Sequence, residues 1–139
     1  MKWLRAIKAW FGCIDSSAQG NGIAPFTADQ LAALGIDEYH VKEISLGYSG
    51  ELHAGSLEIC FSYSVRDGVF VNIKTVSKWR ILFEFCDGNS LINDDREKYT
   101  NLLAKLKRLR EIQGELDYRE AYEQLQQIVI EHFRESRNQ

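Results

Sequence analysis

Proline is nearly absent. The 139 residues hold one, Pro25, so no Pro-rich linker divides the chain. No internal repeat or low-complexity tract divides it either, and one domain over residues 1–139 is expected. Cysteine is also scarce, with Cys13, Cys60 and Cys86 only. That number is odd, the spacing is wide, and no Cys-x-x-Cys pair occurs, so a reduced, cytoplasmic setting is expected. No run approaches the ~20 apolar residues of a membrane span, and no membrane partner is expected. No secretion signal is expected either. Arg5 and Lys8 interrupt the opening Met-Lys-Trp-Leu-Arg-Ala-Ile-Lys-Ala-Trp-Phe-Gly-Cys where such a peptide would be apolar. The two glycines of the polar stretch Ile14–Ala24 form no phosphate-binding pattern, and no Gly-Lys-Ser follows.

Neither sign of charge prevails strongly. Seventeen Lys and Arg face 20 Asp and Glu, a formal net charge of −3. The distribution is uneven: residues 13–93 carry five basic and ten acidic side chains. The basic footprint of non-specific nucleic-acid binding is missing, whereas mild acidity over this region suits a basic partner.

What is present is a run of alternating residues. Leu57, Ile59, Phe61, Tyr63 and Val65 alternate with Ser56, Glu58, Cys60, Ser62 and Ser64. Val69, Val71, Ile73 and Thr75 repeat the pattern, and then Trp79, Ile81, Phe83 and Phe85. Period two means strands with one buried face. Parity selects the turns. A two-residue Asp67-Gly68 turn would set apolar residues opposite polar ones, so a three-residue loop at 66–68 is expected, with Val65 opposite Val69. The same argument places a loop at 76–78 and Trp79 opposite Thr75. Residues 39–48 supply a further strand, Ser49-Gly50 a turn, and Gly55 a bulge. Asp87-Gly88-Asn89 ends the sheet, which spans residues 39–86.

Helical signals flank it. Trp3, Leu4, Ile7, Trp10 and Phe11 make residues 1–12 an amphipathic helix that covers one end of the core, the other readings being an anchor to a membrane surface, a partner or a second copy; a loop follows over 13–26. Thr27 and Gln30 form a capping box for a helix over 28–34 that Gly35 stops. Two longer helices are expected over 94–135. Asn93 or Asp94 caps the first, whose stripe is Tyr99, Leu102, Leu103, Leu106 and Leu109. Asp117 with Glu120 caps the second, which carries Tyr118, Tyr122, Leu125, Val129, His132 and Phe133. The expected fold is α+β: an antiparallel meander of four or five strands, with the N-terminal and two C-terminal helices on its apolar face.

Catalytic groups are hard to find. His40, His53 and His132 have no metal-ligand spacing, so neither metal nor cofactor is expected. Cys60 beside Lys74 has the makings of an activated thiol, but a small half-buried sheet residue is the plainer reading. Glu58 and Glu84 fall on outer strands, too far apart for a shared proton. Lys105, Lys107, Arg108 and Arg110 lack interleaved aromatics and read as a solvated helix face.

One surface remains. The second sheet face mixes Glu58, Lys74, Arg80 and Glu84 with Phe70, Asn72 and Leu82, apolar anchors among charges, as a protein-binding surface requires; a loosely packed helix or the N-terminal segment covering that face is the competing reading. In size, mild acidity, α+β content and missing catalytic motifs, the chain resembles bacterial immunity proteins. The resemblance implies a non-catalytic inhibitor that neutralises a toxin or enzyme by occluding its active site. A small enzyme or ligand-binding domain is the alternative, with Tyr63, Tyr99, Tyr122 and His132 lining a pocket between sheet and helices. A homodimer through the Phe70–Leu82 patch is a third reading.

Overall fold

The computed structural model describes residues 26–137 and the backbone of two short strands, β1 (Ala6–Ile7) and β2 (Ala9–Phe11). Most of the helix expected over 1–12 therefore lies outside the described residues, and its two described pieces are extended rather than helical. The loop expected over 13–26 lies outside them too, apart from Phe26.

The main sheet has six antiparallel strands in chain order, one more than the expected maximum. They are β3 (Glu38–Ile44), β4 (Gly47–Ala54), β5 (Leu57–Ser64), β6 (Gly68–Thr75), β7 (Ile81–Cys86) and β8 (Asn89–Ile92). The mixed segment after Gly35 becomes β3 and β4 through a Ser45-Leu46 turn, with Ile44 opposite Gly47. Ser49-Gly50 is thus strand interior and not a turn. The turn lies instead at Gly55-Ser56, where Ala54 faces Leu57, so Gly55 is no bulge. The additional strand follows from Asp87-Gly88. Asp87 at φ 49 and Gly88 at φ 87 make the two left-handed central positions of a type I′ hairpin turn, which returns the chain as β8. Asp-Gly is the usual composition of such a turn, and here it continues the sheet.

Face assignments survive while register moves. Tyr63 faces Val69, Phe61 faces Val71 and Ile59 faces Ile73, a two-residue offset from the expected pairing. Two residues is one full side-chain period, so every β5 side chain keeps its face. The loop occupies residues 65–67, and Val65 is left exposed at its start. The β6–β7 pairing shifts equally, with Val71 opposite Phe85 and Ile73 opposite Phe83. A bulge after Ile73 then sets Lys74 against Ile81. This lengthens the connection and moves Trp79 out of the sheet; it is 69% exposed rather than in the core.

The helices follow their caps. In α1 (Ala28–Ala33) the Thr27–Gln30 box is complete in both directions. Ile36 N–H donates to Leu31 O and Gly35 N–H to Ala32 O, the double bond of a Schellman stop. Before α2 (Thr100–Ile112) a 3₁₀ turn spans Arg96–Tyr99, and its cap is Asp95, not Asn93 or Asp94. Asp94 accepts the Tyr99 hydroxyl instead, at 2.9 Å. Asp117 and Glu120 close their box at the start of α3 (Tyr118–Arg137).

Aromatic contacts join helices to sheet. Tyr122 of α3 stacks on Phe61 at 5.6 Å, and Tyr99 stacks on Phe83 at 5.2 Å. Phe26 reaches Tyr39 at 5.9 Å. All three sheet partners point to the apolar side. Ile59, Phe61, Val71, Phe83 and Phe85 are buried there with Leu106, Leu109, Tyr122 and Leu125. One polar cluster lies inside this layer: the Tyr39 and Tyr122 hydroxyls are 2.9 Å apart, and Tyr39 also donates to Gln126. Gly50 makes room for it, since a Cβ there would stand 2.3 Å from the Tyr122 hydroxyl oxygen.

Candidate functional site

The opposite sheet face carries three long cross-strand rows fixed by the pairings, beside a shorter one of Ile44, Gly47, Ser64 and Gly68. The first runs Glu38, His53, Glu58, Lys74. The second runs His40, Glu51, Cys60, Asn72, Glu84, Leu91. The third runs Lys42, Ser49, Ser62, Phe70, Cys86, Asn89. Strand alternation puts each of these side chains away from the helices.

Charges in the first two rows meet in pairs. Glu58 and Lys74 are 3.5 Å apart, with side chains only 15% and 24% exposed. His53 Nε2 lies 2.6 Å from Glu51 Oε2 and 3.9 Å from Glu58 Oε2. The hydrogen bond with Glu51 raises the affinity of His53 for its proton and lowers that of Glu51. His40 Nε2 contacts Glu38 at 3.0 Å, and Asn72 donates to Glu84 at 3.4 Å. Lys74 also lies 4.7 Å from the centre of the Trp79 ring, a cation–π distance. Trp79 itself has φ 53, a left-handed conformation that is costly for a bulky side chain.

The expected surface residues divide on this geometry. Glu58, Asn72, Lys74 and Glu84 share the first two rows, and Phe70 stands half-buried in the third. Arg80 is exposed before β7, and its guanidinium donates to Asn93 O. Leu82 is 9% exposed and belongs to the buried set, so no open Phe70–Leu82 patch exists. Glu58 and Glu84 sit on strands separated by β6.

Cys60 does not behave as an activated thiol. Burial, then the charges of Glu51 and Glu58, push it up to about 11 against the opposing effect of Lys74. The pocket aromatics are packed instead of lining a cavity. Tyr63, Tyr99 and Tyr122 are buried, and His132 stacks on Tyr99 at 5.7 Å. Burial lowers the proton affinity of His132. An open cleft of 340 Å³ lies elsewhere, lined by Ile92, Arg96, Thr100, Leu103, Ala104 and Lys107. No helix among the described residues is long and apolar enough to cross a membrane.

Sequence reasoning missed Trp79, Glu51 and His53. Trp79 was masked by an alternation that the bulge breaks. Glu51 and His53 were readable: Glu-x-His places both on one face of a strand, and a two-residue Gly55-Ser56 turn sets His53 across from Glu58. Glu51, His53 and Glu58 bring one donor atom each within 4.8 Å of one another.

Compared with known proteins, the chain matches no family model, no curated protein and no solved structure.

Proposed function

We propose that this protein is a non-catalytic protein-binding module whose working surface is the sheet face opposite the helices. The observation that carries the reading is Trp79, held 69% exposed in a strained backbone conformation with Lys74 against its ring. Strain concentrates where a chain presents a group for use, and tryptophan is the side chain most enriched among binding anchors. Beside it the first two rows carry Glu38, Glu51, Glu58 and Glu84 against Lys74. The partner that complements this face is a basic protein surface. Its most concrete form is an immunity-type inhibitor in the cytoplasm that covers the basic active-site cleft of a toxin or other enzyme. Against an enzyme reading stand the packed aromatics and the raised Cys60 thiol, the cysteine that lies beside a lysine among the described residues.

The test is affinity capture from native extract with mass identification, run with three variants in parallel. Trp79→Ala and Glu84→Lys should lose the captured protein while the circular dichroism stays unchanged. Lys107→Glu, on the exposed side of α2, should retain it. A capture profile unaffected by both Trp79→Ala and Glu84→Lys removes this face as the binding surface.

A further inference from the structure

We infer that Glu51, His53 and Glu58 form a binding site for a divalent transition ion, Zn²⁺ being the ion that its donors fit. This is a mixed set, one imidazole nitrogen and two carboxylates, on the adjacent strands β4 and β5. Their donor atoms lie within 4.8 Å of one another. Some point is therefore within about 2.8 Å of all three, and each atom moves under about 1 Å to reach the ~2.0–2.2 Å of zinc–oxygen and zinc–nitrogen bonds. Side-chain rotation supplies that movement without displacing the strands.

Charge gives the same answer. Two carboxylates on neighbouring strands repel, and the His53 ring stands within 3.9 Å of both, with the Lys74 ammonium 3.5 Å from Glu58. A dication between the three donors offsets that repulsion directly. It takes the neutral ring at Nε2, the atom already turned toward Glu51 and Glu58. Calcium and magnesium suit the site less, because they want six or more oxygen ligands or near-octahedral geometry. Three protein donors leave a fourth tetrahedral position for water. Cys60 sits opposite Glu51 but its sulfur is not among the donor atoms that lie within 4.8 Å of one another.

Calorimetric titration of the full chain with zinc chloride tests the site, with cobalt(II) absorption as a second readout. The expected result is one equivalent bound, weakened at least about tenfold by His53→Gln or Glu58→Gln. Lys74→Ala should bind more tightly, since it frees Glu58, and Glu84→Gln should match the wild type. The cobalt spectrum should lack a thiolate charge-transfer band. Absence of binding at millimolar zinc overturns the inference. So does binding unchanged in His53→Gln, or a strong thiolate band that disappears with a cysteine substitution. Because Lys74→Ala predicts a gain, it keeps the test decisive if a ligand variant fails to fold.

Discussion

Replacing Gly50 by alanine probes the packing of α3 on the sheet. The new Cβ would stand 2.3 Å from the Tyr122 hydroxyl oxygen and 2.9 Å from Phe61 Cζ. An ordinary contact needs about 3.4 Å or more, so the Tyr122 ring must retreat by about 1 Å. It has nowhere to go: Tyr122 is buried, stacked on Phe61 at 12° between planes, and tied to Tyr39. Overpacking of this kind costs about 1–3 kcal/mol. Losing the Tyr39–Tyr122 hydrogen bond adds about 1 kcal/mol. The expected loss is about 2–4 kcal/mol, a large part of the ~5–15 kcal/mol that holds a typical domain folded. Urea unfolding followed by circular dichroism measures it, with the slope unchanged and the midpoint lowered. The double variant with Tyr122→Phe should recover about 1 kcal/mol relative to the sum of the singles, because the atom struck first is gone. Gly114→Ala meets no atom within 4 Å and should be neutral. A Gly50→Ala cost under about 0.5 kcal/mol would refute the reasoning, since a solvent-exposed turn at Ser49-Gly50 gives that result.

Three further outcomes follow from single groups. Gly88→Ala forces a side chain into the left-handed region at φ 87, 3.0 Å from Arg110 Cζ, and should lower stability by about 1–2 kcal/mol in the same urea assay; an unchanged midpoint would contradict the type I′ turn. Cys60, pushed up to about 11, is roughly one part in a thousand thiolate at pH 8, so iodoacetamide with peptide mapping should label the exposed Cys86 well before it; faster labelling of Cys60 would contradict its burial. His132 prefers its neutral form when folded because burial opposes the charge, so the unfolded chain binds the proton first. Stability should therefore fall as pH drops below about 6.5, and His132→Phe should flatten that fall; identical pH profiles in thermal unfolding would show that His132 is accessible.

Much of the fold was legible because period-two alternation survives errors of register. Phe61, Ile73 and Phe83 were placed on the buried face from the pattern alone, although each was paired two residues away from its partner. Capping chemistry is local, so Thr27–Gln30 and Asp117–Glu120 needed no tertiary information. Failures came where long-range packing overrides local signals. Gly50 looks like a turn residue, but it is glycine because Tyr122 needs the space its side chain would fill. Trp79 continues the alternation on paper, yet the bulge after Ile73 ejects it, and Leu82 is buried in its stead. Asp87-Gly88 looks like the end of the sheet on paper, but its two left-handed residues make a hairpin. For the surface, Glu58, Asn72, Lys74 and Glu84 were recoverable from parity. Glu51 and His53 share a strand face in the sequence too, but joining them to Glu58 needs the two-residue Gly55-Ser56 turn that sets β4 beside β5.

The most direct measurement is carboxyl labelling of the protein alone and in complex with its captured partner, read by mass spectrometry. Glu38, Glu51, Glu58 and Glu84 on the outward rows should lose reactivity in the complex, while Glu111 and Glu120 on the helices keep theirs. Protection of the helix carboxylates with the sheet rows still reactive would place the contact on the other side of the molecule and contradict the account.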